Sequence, residues 1–590
     1  MSMQKLFLAV LAAASLLFSA CTKKESSNEK VLKIGVPQKV KGMDPIFAND
    51  RYSGNEVARV YEGLLEYHYL KRPFTLQPNL AEALPTVSED GFTYTFKIRK
   101  GVVFQDDKAF KDGKGRELEA KDFVYSIKRL ADPKLQSTGW WVLKDKLVGL
   151  DDWRKRQTSA AKVNYDEEVE GIKAIDKYTL QFKLAKPFPQ FLYALAMPFT
   201  FVVSREVVEY YGDQFLNHPV GTGAFVLPEF RQALKIKYKK NPTFRKKLFP
   251  SEASEEFKHM LKDAGKPLPL VDELVVNIIE ETQPRWLNFK KGKIDFLTIP
   301  KDNFDSAVTP DRGLTDELAE KGIVLKITPS LDVTYVAFNH DNKLFQNLKL
   351  RQAMMLAYDV KESNRLFYNM TALPAQSVIP PGIAGYIKGY KSPFRLENRE
   401  KAIEKAKQLM VEAGYPNGEG LPPLTYDCAA GTDSRQQGDY FAKQMAQIGI
   451  QVKVVPNPWP QLQSKITKRT VELYGIAWGA DYPDAENFLQ LLYGPNRAPG
   501  ANGSGYDNPE FNRLFKVSSV MQDSPERTAL YEKMYRMAAE EVPWVYGVHR
   551  QTFLLHHGWL KNYISTDFEA GRAQYLDLDL NKKSELLKKL

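Results

Sequence analysis

The sequence of 590 residues predicts an α/β fold. Three observations support it. Strand-period and helix-period patches alternate along the chain, Gly, Pro, Asn and Asp clusters punctuate them at short intervals, and no internal repeat interrupts the order. The first patch, Val31–Val36, reads as a strand leading to the turn Gly42-Met43-Asp44-Pro45. Residues 56–67 read as a helix ending near Gly63. Phe92, Tyr94, Phe96 and Ile98 then alternate with Thr93, Thr95, Lys97 and Arg99, the period of a strand with one buried face, entered through Glu89-Asp90-Gly91. Phe123, Ile127 and Leu130 fall at helical spacing until Asp132-Pro133 stops the helix. Residues 178–184 form a strand closed by Lys186-Pro187, and Val220-Gly221-Thr222-Gly223 is a tight turn into a strand over 225–230. Leu350, Ala353, Met354 and Ala357 make one helical face. Ile403, Ala406, Met410 and Ala413 make another, ended by Gly414 with Pro416 beyond. A helix over 441–448 stops at Gly449, and Ile450, Val452 and Val454 continue as a strand.

The ends and the composition narrow the function. After Lys5 an uncharged apolar run, 6–20, ends at Cys21. It is shorter than the roughly 20 residues of a membrane-spanning helix and fits the apolar core of a signal peptide over 1–20. Leu17-Phe18-Ser19-Ala20-Cys21 resembles a lipobox, in which Cys21 is acylated and becomes the new N-terminus; Phe18 stands where leucine is usual. An ordinary secretory signal is the alternative. Residues 21–30 are polar and read as a tether between lipid and folded body. The remaining cysteine, Cys428, then has no disulfide partner and reads as a buried small hydrophobe. Core size must supply the stability instead, and a chain this long buries about three-quarters of its surface. The formal charge of +11 comes from scattered lysines without the aromatic interleaving of a nucleic-acid surface, so no nucleic-acid partner is expected.

Catalytic and cofactor signatures are not found in the sequence. Among 7 histidines, His556-His557 are adjacent and cannot both face one metal from a regular element. There is no Gly-rich phosphate loop ending in Gly-Lys-Ser/Thr and no Gly-x-Ser-x-Gly elbow. Asp106-Asp107 and Asp151-Asp152 sit in charged loops and read as surface. No catalytic residue, metal or cofactor is expected, and no enzymatic activity.

Particular wording connects this pattern to a family. Leu80-Ala81-Glu82, Tyr94-Thr95-Phe96, Arg99-Lys100-Gly101 and Ala120-Lys121-Asp122-Phe123 resemble the extracytoplasmic solute-binding proteins of ABC importers, in the peptide and nickel family. Pro219–Gly223, Asn241-Pro242-Thr243-Phe244, Phe338-Asn339, Arg351-Gln352-Ala353 and Ile448-Gly449-Ile450-Gln451-Val452 extend the resemblance nearly end to end. It implies a two-lobed periplasmic binding protein, a Venus flytrap, with an extra inserted domain. Lobe I would comprise 31–66, 220–330 and 550–590, the extra domain 67–219, and lobe II 331–549, with the chain crossing between lobes near 327–336 and 544–553.

The resemblance also implies a site. In Tyr474–Asp484 a strand runs into a loop bearing Trp478, Asp481 and Tyr482. Peptide-binding members pair the aspartate matching Asp481 with the ligand's α-ammonium, and Trp478 would form a flat wall beside it. The facing lobe would contribute the loop from Asn49 to Ser53. Oligopeptide binders often carry a carboxylate-binding arginine where this chain has Gly475, and Lys465, Lys468 and Arg469 nearby read as a solvated helix end. The function implied is that of a monomeric, exported receptor. It is lipid-anchored through Cys21 on the periplasmic or cell-surface side and passes peptides to a permease and its ATPase subunits. Alternatives within the family are a nickel chelate, haem, a cell-wall peptide or an oligosaccharide. Outside it stand a cleft hydrolase and a signalling or adhesion lipoprotein on the same scaffold.

Overall fold

The computed structural model describes residues 28–590 apart from 41, 49, 232, 233, 499 and 569. The expected signal peptide 1–20, the Cys21 lipidation site and Asn49 therefore lie outside the described residues.

Two sheets anchor two separate hydrophobic cores. In the first, Val31–Val36 runs parallel to Glu273–Ile278, which pairs antiparallel with Lys235–Lys240 and that with Phe225–Arg231. In the second, the strand order is Val452–Asn457, Leu424–Ala429, Leu473–Gly479, Asp332–Phe338 and Trp544–Tyr546. Its first three strands are parallel and its last two pairings antiparallel. Its core is drawn from residues between Leu331 and Tyr546, apart from that of the first sheet. The fold is thus the α/β, two-lobed architecture expected from the sequence.

The additional unit is a sheet of Thr86–Val87, Thr93–Lys97, Thr179–Lys183 and Ile172–Asp176, with the helix Ala120–Ala131 packed on it. Tyr94, Phe96 and Ile98 are buried, as their alternation requires. This unit shares its core with the first sheet. Arg129 on the helix reaches the turn at Asp44 and forms a bidentate pair, Nη1–Oδ1 2.8 Å and Nη2–Oδ2 2.6 Å, with both side chains buried.

One element differs from expectation. The helix predicted over 56–67 runs instead from Arg51 to Val60, and Leu65–Tyr67 is a strand paired with Leu76–Pro78. The Val60 carbonyl accepts from the Gly223 amide at 2.8 Å, and Tyr61 turns extended. A Cβ at Gly221 or Gly223 would stand 2.1 or 2.6 Å from that carbonyl oxygen, so only glycine permits this approach. The glycine turn legible near residue 221 is what ends a helix lying 160 residues earlier in the chain.

The chain joins its two halves through paired strands. Ile323–Pro329 pairs along its length with Gln551–His557, and Asp332–Phe338 pairs with Trp544–Tyr546. Between them the Ser330 amide donates to the Arg550 carbonyl at 2.9 Å and the Gly547 amide to the Thr334 carbonyl at 2.8 Å. Two antiparallel connections side by side are a place where a few strand-end residues can absorb the rotation of a hinge. Among the described residues no helix is long and apolar enough to cross a membrane.

Candidate binding cleft

A cavity of about 680 Å³ opens where the two halves face one another. Gly479, Ala480 and Asp481 line it from the second sheet. Arg51, Gly54 and Tyr67 line it from the first half, and Arg550 and Phe568 from the returning chain.

Asp481 stands one residue beyond Ala480 at the end of the strand Leu473–Gly479, whose last residue pairs with Asp332. Its backbone amide donates to Asn487 Oδ1 at 3.0 Å, and its Oδ2 accepts from Asn487 Nδ2 at 3.0 Å. Burial pushes its carboxyl pKa up, and the Asn487 hydrogen bond offsets only part of that. Among the described residues no cation pairs with it. The carboxylate is desolvated and its charge uncompensated, which is costly unless something positive arrives.

Asn487 was not singled out by the sequence, yet it organises the loop. It is fully buried, and its Oδ1 also accepts from Trp478 Nε1 at 3.1 Å. Trp478 is thereby held near Asp481 but packs, partly buried, against the second core and is not among the residues that line the cavity, so it does not form the wall expected of it. A second unanticipated residue is Tyr67, stacked on Phe568 with centroids 4.9 Å apart. Its buried hydroxyl has no hydrogen-bond partner among the described residues, and the Asp481 charge adds to the burial that raises its pKa. A phenol in the first half and a carboxylate in the second thus stand close enough to influence each other, with the cavity between their walls.

Two other expected site residues are placed elsewhere. Tyr482 is buried at the seam between halves, its ring parallel to Tyr193 at 5.8 Å and its hydroxyl donating to Glu486 Oε2 at 2.5 Å. Burial raises the Glu486 carboxyl to about 7. Ser53 is 1% exposed and its hydroxyl donates to Asp50 Oδ2 at 2.8 Å, within the cap of its own helix. Its neighbours Asp50, Arg51 and Gly54 reach the cavity instead.

A smaller cavity of about 360 Å³ lies within the second half, walled by Tyr358, Tyr368, Tyr426 and Gln437, and Arg550 borders both cavities. Gly475 belongs to this wall, and a Cβ there would stand 1.9 Å from the Tyr426 hydroxyl. The tyrosine occupies the space a side chain at 475 would need, and its ring is fixed by stacking on Phe441 at 5.3 Å. Gly475→Ala is therefore expected to cost about 1–3 kcal/mol by overpacking. Urea unfolding of this variant beside Gly475→Ala/Tyr426→Phe checks the cause: losing the hydroxyl should restore only part of the stability, because the ring carbon Cζ still stands 2.7 Å from the added methyl. Lys465 and Arg469, read as solvated, are engaged with Asp427 at 2.7 Å and Asp341 at 2.5 Å.

Residues 75–500 match the family model described as "Bacterial extracellular solute-binding proteins, family 5 Middle". Heme-binding protein A of Haemophilus influenzae is 26% identical over 584 residues, 95% of this chain and 96% of that relative. Glutathione-binding protein GsiB of Escherichia coli is 26% identical over 547 residues, 91% of this chain and 92% of its own. Among solved structures, the periplasmic binding protein DppA from Helicobacter pylori, in complex with the peptide STSA, superposes with a TM-score of 0.69. It is 26% identical, covering 93% of this chain and 98% of that one. HbpA2 from Haemophilus parasuis shares the fold at a TM-score of 0.73 and 22% identity, covering 93% and 100%.

Proposed function

This chain belongs to the bacterial extracellular solute-binding proteins of family 5, and we propose that it is a lipid-anchored receptor for peptides. It closes its two lobes on the ligand, holds the α-ammonium on Asp481, and delivers the cargo to the permease and ATPase subunits of an ABC importer. It breaks no bonds. The anchor is the acylated Cys21, which holds the protein on the outer side of a membrane.

The observation that carries this reading is the partly buried carboxylate of Asp481 facing the cavity without a counter-cation among the described residues. A ligand ammonium supplies the missing charge, and a charge-assisted hydrogen bond there contributes about 1.5–3 kcal/mol. The cavity volume lies in the ordinary range for small ligands, roughly 300–1,000 Å³. Of the ligands named for the relatives, the peptide STSA and glutathione both carry a free α-ammonium, whereas haem carries none. Tyr67 and Phe568 supply the opposing wall, and bending at the paired strands brings the walls together.

Native mass spectrometry with a mixture of short free-amine peptides, haem and a nickel chelate tests the cargo class. Retention of peptide adducts is the expected result. Retention of haem or the chelate in preference to every peptide would overturn it.

A further inference from the structure

We infer that the stacked pair Tyr193–Tyr482, with Glu486 behind it, is a proton-dependent latch between the two lobes. It holds them together while Glu486 is protonated and loosens when Glu486 ionises. The inference stands on the two-lobed fold and needs no particular cargo.

Stacked rings run in file from the first lobe into the second. Phe568 lies 4.9 Å from Tyr67, Tyr67 6.3 Å from Tyr193, and Tyr193 5.8 Å from Tyr482, centroid to centroid. The last contact crosses the seam, with its two rings parallel to within 4°. Tyr193 belongs to the short helix Phe191–Ala194, which packs through Phe191 on Tyr94 and Phe182 of the additional sheet. Tyr482 follows Asp481 directly, so a movement at the seam also moves the carboxylate that lines the cleft. Ring pairs favour contact beyond the area they bury, but they do not sense pH.

Glu486 supplies that response. It is 8% exposed, and its Oε2 accepts from the Tyr482 hydroxyl at 2.5 Å. On its own loop stands Asp484, a like charge that Arg527 holds at 2.8 Å. Arg527 and Tyr531 face it from the helix Pro525–Glu541. From the additional unit comes Lys146, whose amine sits 3.9 Å from the Phe188 ring centroid and whose own pKa is lowered by burial. Burial is the largest influence on Glu486 and lifts its carboxyl to about 7, against the opposing pull of Tyr482, Lys146 and Arg527.

The sign follows from which form is dry. Opening takes Tyr193 and Lys146 away, and a carboxyl facing water returns toward its ordinary range. The closed form thus binds the proton more tightly. Closure gains as pH falls through about 7 and loses as pH rises through it.

Pulsed dipolar spectroscopy on the whole, ligand-free protein tests this, with spin labels at Lys173→Cys and Lys407→Cys, one on each lobe. Both positions are exposed, and Cys428 is buried. The ratio of closed to open distances should rise about threefold or more between pH 8 and pH 6. Glu486→Gln, uncharged at both, should be mainly closed and flat with pH. Tyr193→Ala should be more open than wild type at both pH values. Asp481→Asn, which removes the other carboxyl beside the seam, should keep the response. The latch is overturned if wild-type distances ignore pH, if Glu486→Gln responds as wild type does, or if Tyr193→Ala leaves the distances unchanged. Loss of the response in Asp481→Asn would also overturn it, since the cleft carboxyl would then be the sensor.

Discussion

Arg527→Ala is expected to destabilise the second lobe by about 3–5 kcal/mol, because it leaves a buried carboxylate without its partner. Arg527 is 3% exposed; its Nη2 lies 2.8 Å from Asp484 Oδ2, and its Nε donates to the Ser518 carbonyl at 3.1 Å. Tyr531 completes the arrangement by donating to Asp484 Oδ1 at 3.0 Å, with the guanidinium 4.9 Å from its ring centroid. Asp484 follows closely on Asp481, and its Oδ1 accepts from the Glu486 amide at 2.8 Å at the start of the helix Glu486–Leu489 that carries Asn487. Loss of the pair therefore loosens the loop that presents the ligand anchor. Urea unfolding measures the stability change. The double variant Arg527→Ala/Asp484→Ala should be less destabilised than the sum of the two single changes, since the stranded charge is then gone.

Asp481→Asn is expected to behave in the opposite way. Affinity for a free-amine peptide should fall at least tenfold, about 1.4 kcal/mol. Thermal stability of the ligand-free protein should stay level or rise. The sign follows from the raised pKa of Asp481 in the folded state. A carboxyl that binds its proton more tightly folded than unfolded destabilises the fold at pH values above its unfolded pKa. Asparagine removes that charge and can still accept from Asn487 Nδ2. The same shift gives binding a pH dependence. Wild-type affinity should weaken as pH falls through the raised pKa, because the ammonium needs the ionised form, while the asparagine variant should be flat over that range. Loss of binding together with a lowered melting temperature would instead mark Asp481 as structural.

The elements legible in the sequence are those long enough to show a period. Thr93–Lys97, Ala120–Ala131 and Leu473–Gly479 each place apolar residues at strand or helix spacing, and each is found at the expected place. Leu65–Tyr67 is too short to show alternation, and its apolar neighbours blend into the preceding helix, so Tyr67 was hidden in a misread element. Asn487 gave no periodic signal because its role is fixed by contacts to Trp478 and Asp481 across a loop. Ser53 and Tyr482 look like site residues by type and position, but a cap and a seam between lobes claim their hydroxyls first. The pairing of Arg550 with Asp332 is not legible in the sequence because the two lie 218 residues apart.

Whether the cleft is built around an ammonium can be read from one calorimetric comparison on the wild-type protein at neutral pH, a free tripeptide against its N-acetylated form. Acetylation is expected to weaken binding by at least tenfold. Equal affinities for the two forms would contradict the role given to Asp481.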